Sequence, residues 1–269
     1  MAGKPEMFLD VQPNLGPLVF TNKPRKMKAI NILLITLLIS ITASAQNWGW
    51  NKRNSVKGNG DVVTQTRDVT DFTGIKACCS FDVELTPGST FEVVVEAESN
   101  LQEYIRTEVR GRTLELGFKD DASINSTKKI RIFVTMPELE LIDASSSADI
   151  VTNGVFKGER LKLESSSGSS ISAQFEGGRV SADASSAGRV EVIGTADEIT
   201  AEASSGANVK AGKLMAKRGD ADVSSGAGIE VNVSEELKAD ASSGGRVRYD
   251  GNPSNVDTDT SSGGSVRRG

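Results

Sequence analysis

The residues of this sequence that could do chemistry recur at nearly constant intervals. Between positions 143 and 262, an acidic residue, one further residue and two serines stand together seven times, and the second serines are 18 to 21 positions apart. Carboxylates repeated in this way could bind Ca²⁺, which prefers oxygen ligands. We call these seven acidic positions the acid ladder: Asp143, Glu164, Asp183, Glu202, Asp222, Asp240 and Asp259.

The acid ladder has a structural interpretation as well as a chemical one. If the repeats stack as strands about 4.8 Å apart, neighbouring carboxylates repel by roughly 1 kcal/mol per pair in water. A cation would offset that repulsion, but the Gly-Gly-x-Gly-x-Asp pattern of calcium-binding repeats is absent. Carboxylates can also cap the N–H groups of a serine-rich corner or simply face solvent. We therefore keep the acid ladder as a weak metal candidate, favour the structural role and predict no cofactor.

The set of side chains argues against catalysis. The chain has no histidine, so Ser-His and Cys-His nucleophile pairs and the commonest metal ligand are all missing. Nothing marks any two of the 36 acidic residues as a glycosidase pair. The stretch from Gly206 to Lys213 is not a P-loop, because five residues instead of four separate Gly206 from Gly212 and Leu214 follows the lysine. We predict that the protein is not an enzyme.

Two adjacent cysteines, Cys78 and Cys79, are the only ones in the sequence. Neighbouring cysteines cannot join distant segments, and this pair lacks the spacing of a metal site. A vicinal disulfide in an oxidising compartment is one alternative. The favoured alternative is a strand whose alternation points one cysteine inward, as a small apolar residue, and the other outward.

The spacing of apolar residues indicates which elements position the acid ladder and the serines. Four residues after each second serine stands a Val or Ile, and small or aliphatic residues alternate with polar ones before the serines, as in Val180-x-Ala182-x-Ala184. Each unit therefore predicts a strand, a tight corner and a second strand. A unit this small must stack on its neighbours to bury its apolar face, and repeated Ser-Ser-Gly interrupts helices. We predict an all-β, single-domain parallel β-helix with about 20 residues per coil in its C-terminal half.

Residues 56–140 are also rich in predicted strands, but they are less regular. The predicted strands cover residues 61–66, 81–85, 91–97, 113–118 and 130–135. We interpret them as the heavier N-terminal coils and cap of the same solenoid, because terminal repeats are usually atypical. The predicted organisation is an N-terminal extension with a signal peptide (1–45), a flexible mature N terminus (46–55), the N-terminal strands and cap (56–140), and the repeat coils (141–269).

A segment near the N terminus has the features of a cleaved secretion signal. Basic residues from Lys23 to Lys28 precede an apolar run over 30–43, and Ala43-Ser44-Ala45 follows as a small-x-small cleavage site. The run is short for a membrane span, although a retained anchor is the alternative. We predict cleavage before Gln46 and export to the periplasm, the cell surface or the medium.

Several phrases resemble those of a known family. In order, they are Gly58-Asn-Gly60, Phe72-Thr-Gly-Ile75, Val83-Glu-Leu-Thr86, Val93-Val-Val-Glu-Ala97, Asn100-Leu101, Gly111-Arg-Thr-Leu114, Lys129-Ile-Arg-Ile132 and Met136-Pro-Glu-Leu139, followed by the Ser-Ser-Gly repeats. Residues 56–267 thereby resemble the putative auto-transporter adhesin, head GIN domain proteins, which are exported proteins of Bacteroidetes-type bacteria. The resemblance implies a right-handed parallel β-helix and cell-surface adhesion, and it brings no catalytic residues. The sequence departs from the family at Cys78-Cys79, where small residues are more usual.

The expected function is that of an adhesin-like or interaction module whose partner is a surface protein or a glycan. The chain has 31 Lys and Arg against 36 Asp and Glu, and it is more acidic without residues 1–45, so we expect no basic patch and no binding of nucleic acid or anionic membranes. The alternatives are a structural scaffold of the cell envelope and a polysaccharide-active β-helix enzyme.

Two sets of residues bear on how such a module could bind. Trp48 and Trp50 fall in the predicted flexible segment, so a sugar groove would rely on polar side chains, namely Arg189, Lys210, Arg246 and Arg248. At the C-terminal end, Arg267 and Arg268 are expected to guard the edge of the last coil by charge, with end-to-end association as the alternative.

Overall fold

The computed structural model describes residues 55–119 and 123–269, which form an all-β structure. The predicted signal peptide, the two tryptophans and nearly all of the predicted flexible segment lie outside the described residues. The N-terminal strands are β1 (Ser55–Lys57), β2 (Val62–Arg67), β3 (Gly74–Ala77), β4 (Asp82–Pro87), β5 (Glu92–Glu98), β6 (Ile105–Arg110), β7 (Thr113–Phe118), β8 (Ser123–Asn125) and β9 (Arg131–Met136). The repeat strands are β10 (Leu141–Ala144), β11 (Asp149–Thr152), β12 (Phe156–Ser165), β13 (Ser170–Ala184), β14 (Arg189–Ala203), β15 (Asn208–Val223), β16 (Gly228–Ala241), β17 (Arg246–Asp250), β18 (Asn255–Thr260) and β19 (Ser265–Arg268).

The strands from β10 onward form a β-solenoid of about seven turns with about 19 residues per turn. Strands of adjacent coils pair in parallel, so that Ala182 lies in register with Leu163 on one side and with Ala201 on the other. We call the strand segments that lead into the corners face 1 and those that leave the corners face 2. This arrangement confirms the predicted parallel β-helix. The right-handed winding stays a prediction.

Each corner of the repeats is a β-turn with left-handed central residues. The N–H of Ala207 donates to the carbonyl of Ser204 at 3.1 Å, which closes the turn. Both central residues have positive φ, 53° at Ser205 and 70° at Gly206, as in a type I′ turn. The second serine has positive φ in all seven corners, although this conformation costs an L-residue about 1–2 kcal/mol.

The corners are also joined to one another along the solenoid. The N–H of the third corner residue donates to the carbonyl of the second serine in the next coil, as from Gly206 to Ser225 at 3.2 Å and from Gly226 to Ser243 at 3.1 Å. The left-handed serine presents its carbonyl to the neighbouring coil, so a backbone hydrogen bond between coils offsets part of the conformational cost.

Inward side chains stack from coil to coil and form one continuous core. On face 2, Val190, Val209 and Ile229 occupy one such row. The corresponding row of face 1 consists largely of alanines, which bury little apolar area per coil. The largest buried rings lie toward the N-terminal coils: Phe72, Phe81, Phe156 and Phe175. The core is therefore heavier at its N-terminal end, as predicted.

The N-terminal strands stack in an order that differs from their order in the chain. Strands β3 and β4 pair in parallel with β10 and β11 on one side and with β7 and β9 on the other. The coil made of β3 and β4 thus lies between the first repeat coil and a pair of strands that come later in the sequence than β3 and β4. Strands β2, β5 and β6 pair antiparallel beyond these and form the cap. Each of the five predicted strands is present, and its ends lie within two residues of the predicted ends. Strands β1, β3, β6 and β8 were not predicted.

A buried carboxylate ties the cap together. Glu98 is 1% exposed and accepts hydrogen bonds from the N–H of Gly60 at 2.7 Å and from Thr127, through its N–H at 2.8 Å and its Oγ1 at 2.6 Å. The N–H of Lys128 also donates to it, at 3.3 Å. Burial acts to raise the pKa of Glu98, but these hydrogen bonds outweigh it and hold the pKa below its ordinary value.

The last described coil exposes positions that are buried in earlier coils. Val256 is 40% exposed, and every residue of β18 is exposed. Arg268 lies back on the preceding turn, where its Nη2 donates to Gly251 O at 2.9 Å and to Asn252 Oδ1 at 3.2 Å. In residues 55–119 and 123–269, no helix has the length and apolar character of a membrane span.

Candidate functional site

The structure brings all seven residues of the acid ladder into one row on face 1. Each is in register with the next across adjacent coils, from Asp143 beside Glu164 to Asp240 beside Asp259. A positive charge stands at the start of the row. Lys76 of β3 is in register with Asp143, and Lys76 Nζ lies 2.5 Å from Asp143 Oδ2. The acid ladder is thus a continuous strip of carboxylates.

An open groove of about 510 Å³ runs along the acid ladder beside the first serines of the corners. Asp183 lies in this groove with carboxylates on both sides, Glu164 and Glu202. Burial raises the pKa of Asp183 above its ordinary value, and the negative charges of Glu202 and Glu164 raise it further, while Lys162 opposes the shift. The middle of the acid ladder is therefore electrostatically unfavourable at neutral pH.

The corner N–H groups do not need the carboxylates as partners. In one corner, Ser185 N–H donates to Ser165 O at 2.9 Å and Gly188 N–H donates to Ser185 O at 2.8 Å. The acid ladder instead lines the outer surface with one carboxylate per coil. Within the part of the chain that the structure describes, no three Asp, Glu or Cys side chains are arranged to hold a metal ion. The weak metal assignment of the acid ladder stays a prediction.

A second groove on face 1, of about 420 Å³, lies beside the first repeat coil. Its charged side chains neutralise one another, because Arg160 pairs with Glu140 at 3.1 Å and Arg179 with Glu198 at 3.2 Å. Thr73 Oγ1 donates to Glu140 at 2.9 Å, and this bond together with the charge of Arg160 lowers the pKa of Glu140. The groove is therefore lined by cations that each have an acidic partner, namely Arg112, Arg160, Lys162 and Arg179.

Face 2 carries cations on its outer side. Arg189 and Arg246 belong to one row of in-register positions, and Lys210, Arg248 and Arg267 belong to the next. One open groove of about 260 Å³ is lined by Arg189 and Lys210, and another of about 270 Å³ by Lys210, Arg246 and Arg248. The four side chains that the sequence suggests for a sugar groove thus share one surface. We call the full set the basic face: Arg189, Lys210, Arg246, Arg248 and Arg267.

The cations of the basic face differ from those of face 1 in their partners. None of the five forms an ion pair with a residue that the structure describes, although Glu191 and Glu230 lie on either side of Lys210 in the same row. On face 1, by contrast, Lys162 Nζ lies 2.6 Å from Glu164. Five cations thus share one surface of a chain that is acidic overall, because the net charge averages faces of different character. The expectation that the protein does not bind nucleic acid or anionic membranes stays a prediction.

Cys78 and Cys79 form a corner and not part of a strand. Strand β3 ends before them and β4 begins at Asp82, and these strands are in register with β10 and β11. The cysteines therefore occupy the positions of Ser145 and Ser146 in the next coil. Both are half-buried and joined in a disulfide. The favoured prediction of one inward and one outward cysteine on a strand is wrong, because the chain turns at this point, and the vicinal disulfide is the alternative that the structure contains.

Comparison with known sequences identifies the family. The sequence model of the putative auto-transporter adhesin, head GIN domain family matches residues 71–253, which include the cysteine corner and most of both charged faces. The chain belongs to this family. The resemblance noted in the sequence is thus confirmed. No curated protein matches the chain.

Solved structures of proteins from Bacteroidetes share the fold of this head GIN domain protein. A putative adhesin from Bacteroides fragilis NCTC 9343 is 20% identical and has a TM-score of 0.74 over 80% of this chain and 100% of its own. A putative adhesin from Parabacteroides merdae ATCC 43184 is 20% identical, with a TM-score of 0.67 over 80% and 99% of the two chains. A putative lipid binding protein from Parabacteroides distasonis ATCC 8503 is 22% identical, with a TM-score of 0.66 over the same shares. At these identities the likeness shows the fold.

Proposed function

We propose that this head GIN domain protein is an exported, non-enzymatic, adhesin-like module that binds acidic glycans through the basic face. One observation carries the proposal: Arg246, Arg248 and Arg267 lie on adjoining coils without an ion-pair partner among the described residues. The adhesin descriptions of the family and of its solved relatives support an interaction role. The absence of histidine from the sequence supports a non-catalytic role, and the predicted secretion signal supports export.

The arginines of the basic face are arranged to favour a partner with repeated negative charges. Arg248 and Arg267 are in register, so their strands lie about 4.8 Å apart and their charges repel by roughly 1 kcal/mol in water. An anionic ligand offsets that repulsion, and a guanidinium can bind a carboxylate through two parallel hydrogen bonds. Gly228 lies in register between Asn208 and Arg246, and the side-chain oxygen of Asn208 lies 3.0 Å from the point that a Cβ on Gly228 would occupy, so the Asn208 amide is placed to contact a ligand bound at Arg246.

The charge of face 1 adds selectivity to this arrangement. The acid ladder repels the same polyanion that the basic face attracts, so an acidic glycan is directed to face 2. Electrostatic attraction of this kind weakens as salt is added. Binding through the basic face is therefore expected to fall with ionic strength.

The test compares binding to a carboxylated polysaccharide, polygalacturonate, with binding to neutral dextran. One variant removes three cations of the basic face: Arg246→Gln, Arg248→Gln and Arg267→Gln. The matched control removes three ion-paired cations of face 1: Arg160→Gln, Arg179→Gln and Lys238→Gln. Because each charge-assisted hydrogen bond contributes about 1.5–3 kcal/mol, we expect the first variant to lose at least about tenfold in affinity for polygalacturonate, and the control less than about twofold.

Three outcomes contradict the proposal. Equal losses in both variants mean that net charge alone governs binding. Absence of binding to polygalacturonate favours a structural scaffold of the envelope. Release of oligosaccharides from polygalacturonate by the wild-type protein favours the polysaccharide-active enzyme.

A further inference from the structure

The Cys78–Cys79 corner has the backbone of the repeat corners, although its side chains differ. The φ angle is 69° at Cys79 and 58° at Ser80, and it is 49° at the equivalent Ser146. The hydrogen bonds are also those of a repeat corner, since Phe81 N–H donates to Cys78 O at 3.4 Å and Ser80 N–H donates to Ser146 O at 3.0 Å. The same turn therefore forms with serines or with cysteines.

The disulfide contributes little to the stability of this corner. Seven other corners adopt left-handed central residues without a cross-link. A disulfide between sequence neighbours closes no chain loop, so it removes almost no entropy from the unfolded state. The two half-buried sulfurs are therefore available for chemistry that leaves the fold intact.

The two sulfurs have different surroundings. Cys79 borders an open groove of about 460 Å³ that is lined mainly by polar side chains, among them Lys128 and Lys129, and Lys129 Nζ is paired with Asp82 at 2.6 Å. Cys78 adjoins the cap strands, where a Cβ built on Gly117 would lie 3.2 Å from Cys78 Sγ and 3.4 Å from Arg106 Nη2. Because Gly117 has no side chain, the sulfur and the guanidinium flank the same point. A positive charge near a sulfur stabilises its thiolate, and the guanidinium of Arg106 lies on the side of Cys78. Cys78 is therefore assigned as the leaving group, and Cys79, which borders the groove, as the sulfur that is attacked.

We propose that the Cys78–Cys79 pair is a thiol–disulfide exchange site that forms a covalent bond with a cysteine thiol of a partner. The thiolate of the partner attacks Cys79 Sγ, a new S–S bond forms, and the Cys79–Cys78 bond breaks. Its electron pair leaves on Cys78 Sγ as a thiolate beside Arg106. If the partner offers a second thiol, that thiolate attacks the mixed disulfide and releases Cys79. The partner dithiol is then oxidised, the cysteine pair is reduced, and the two thiolates take up the protons that the partner loses.

The experiment uses 2-mercaptoethanol, an uncharged thiol, as the probe of the folded protein. After short incubation the released thiol is alkylated with N-ethylmaleimide, and mass spectrometry assigns each modification. We expect the mercaptoethanol adduct on Cys79 and the alkyl group on Cys78. Because exchange rates depend on the leaving thiol, Arg106→Gln is expected to slow exchange by about threefold, and Arg106→Lys, which keeps the charge, to restore most of the rate.

Two controls separate chemistry from structure. Arg110→Gln removes a cation from the same strand and is expected to leave the exchange rate unchanged. The Cys78→Ser, Cys79→Ser double variant is expected to keep the melting temperature of the wild type within about 2 °C, which corresponds to less than about 1 kcal/mol. An adduct mainly on Cys78, equal rates for Arg106→Gln and wild type, or a large loss of stability in the double variant each overturns the proposal.

Discussion

Asp183 and Glu202 occupy equivalent outward positions of adjacent coils and lie in register across β13 and β14. Burial raises the pKa of Asp183, and the carboxylate of Glu202 raises it further. A carboxyl whose folded-state pKa is raised favours folding in its protonated form. Its stability contribution is lost as the pH rises from the ordinary value through the raised one. The centre of the acid ladder thus lowers the free energy of unfolding at neutral pH.

Replacing the central acid should therefore stabilise the protein. We expect Asp183→Asn to raise the melting temperature at pH 7 by about 2–4 °C, because it removes roughly 1 kcal/mol of repulsion. The gain should vanish below the ordinary pKa of an aspartate, where the wild-type side chain is protonated as well. The control is Asp197→Asn, since Asp197 lies 2.7 Å from Lys217 and its pKa is lowered by that hydrogen bond. A gain of equal size in the control contradicts the interpretation.

The acid ladder should respond little to calcium. Its carboxylates lie one per coil, and no three metal-ligating side chains of residues 55–119 and 123–269 are arranged as a site. We expect the melting temperature to be the same in EDTA and in millimolar CaCl₂. A rise of several degrees in CaCl₂ that disappears in Asp183→Asn would restore the acid ladder as a metal site.

The left-handed serines should tolerate glycine and reject β-branched residues. Ser225 has a φ of 51°, and its carbonyl accepts the N–H of Gly206. A β-branched residue is a strong outlier at positive φ, so we expect Ser225→Val to lower the free energy of unfolding by about 1–3 kcal/mol. The Ser225→Gly substitution should leave the free energy of unfolding unchanged or raise it by up to about 1 kcal/mol. Glycine avoids the cost of positive φ in the folded state, but it also makes the unfolded chain more flexible, and the two effects oppose each other. Urea unfolding of both variants measures the difference, and equal losses would contradict the strain argument.

The hydrogen bonds of Glu98 should make the cap sensitive to acid. Because its folded-state pKa is lowered, the stability it contributes is present above the ordinary pKa of a glutamate and is lost as the pH falls through the folded-state value. We expect Glu98→Ala to cost about 1.5–3 kcal/mol at pH 7, since it removes the charged acceptor of three N–H groups and one hydroxyl. Glu96→Gln serves as the control, because Glu96 makes only a 3.8 Å ion pair with Arg131. The amide hydrogen-exchange rates of residues 58–61 and 126–128 should rise in Glu98→Ala and stay unchanged in Glu96→Gln.

The parts of the fold that could be predicted from the sequence are those that local spacing determines. A serine corner followed four residues later by a Val or Ile specifies strand, turn and strand within one coil, and stacking follows because one coil cannot bury its own apolar face. Ile75, Ala77 and Val83 have the same spacing as the inward residues of a repeat coil. Strand β4 of this coil was predicted, but β3 and the relation of the coil to the repeats were missed, because cysteines replace its serines and Lys76 replaces its acid.

The basic face and the stacking order of the N-terminal strands depend on contacts between distant residues. Arg189, Lys210, Arg246 and Arg248 could be named from the sequence as polar side chains for a sugar groove, but their alignment in two rows with Arg267 depends on the register of distant strands. The pairing of β3 with both β7 and β10 is likewise set by long-range strand contacts, on which local periodicity has no bearing. Charge on one face of a solenoid is visible in a sequence only after the coil length has been used to align the repeats.

The position of β3 and β4 between later strands has a consequence for how the chain folds. These strands offer one open edge to β7 and β9 and the opposite edge to β10 and β11. Neighbouring repeats pair across about one coil of chain, whereas the pairing of Lys76 with Asp143 spans 67 residues. Loop closure therefore costs more entropy where β3 and β4 join β10 and β11 than between two repeats, and we expect the repeats to stack on one another without waiting for this contact. The β3–β4 coil is then the joint at which two parts of the chain that can assemble separately become one continuous core.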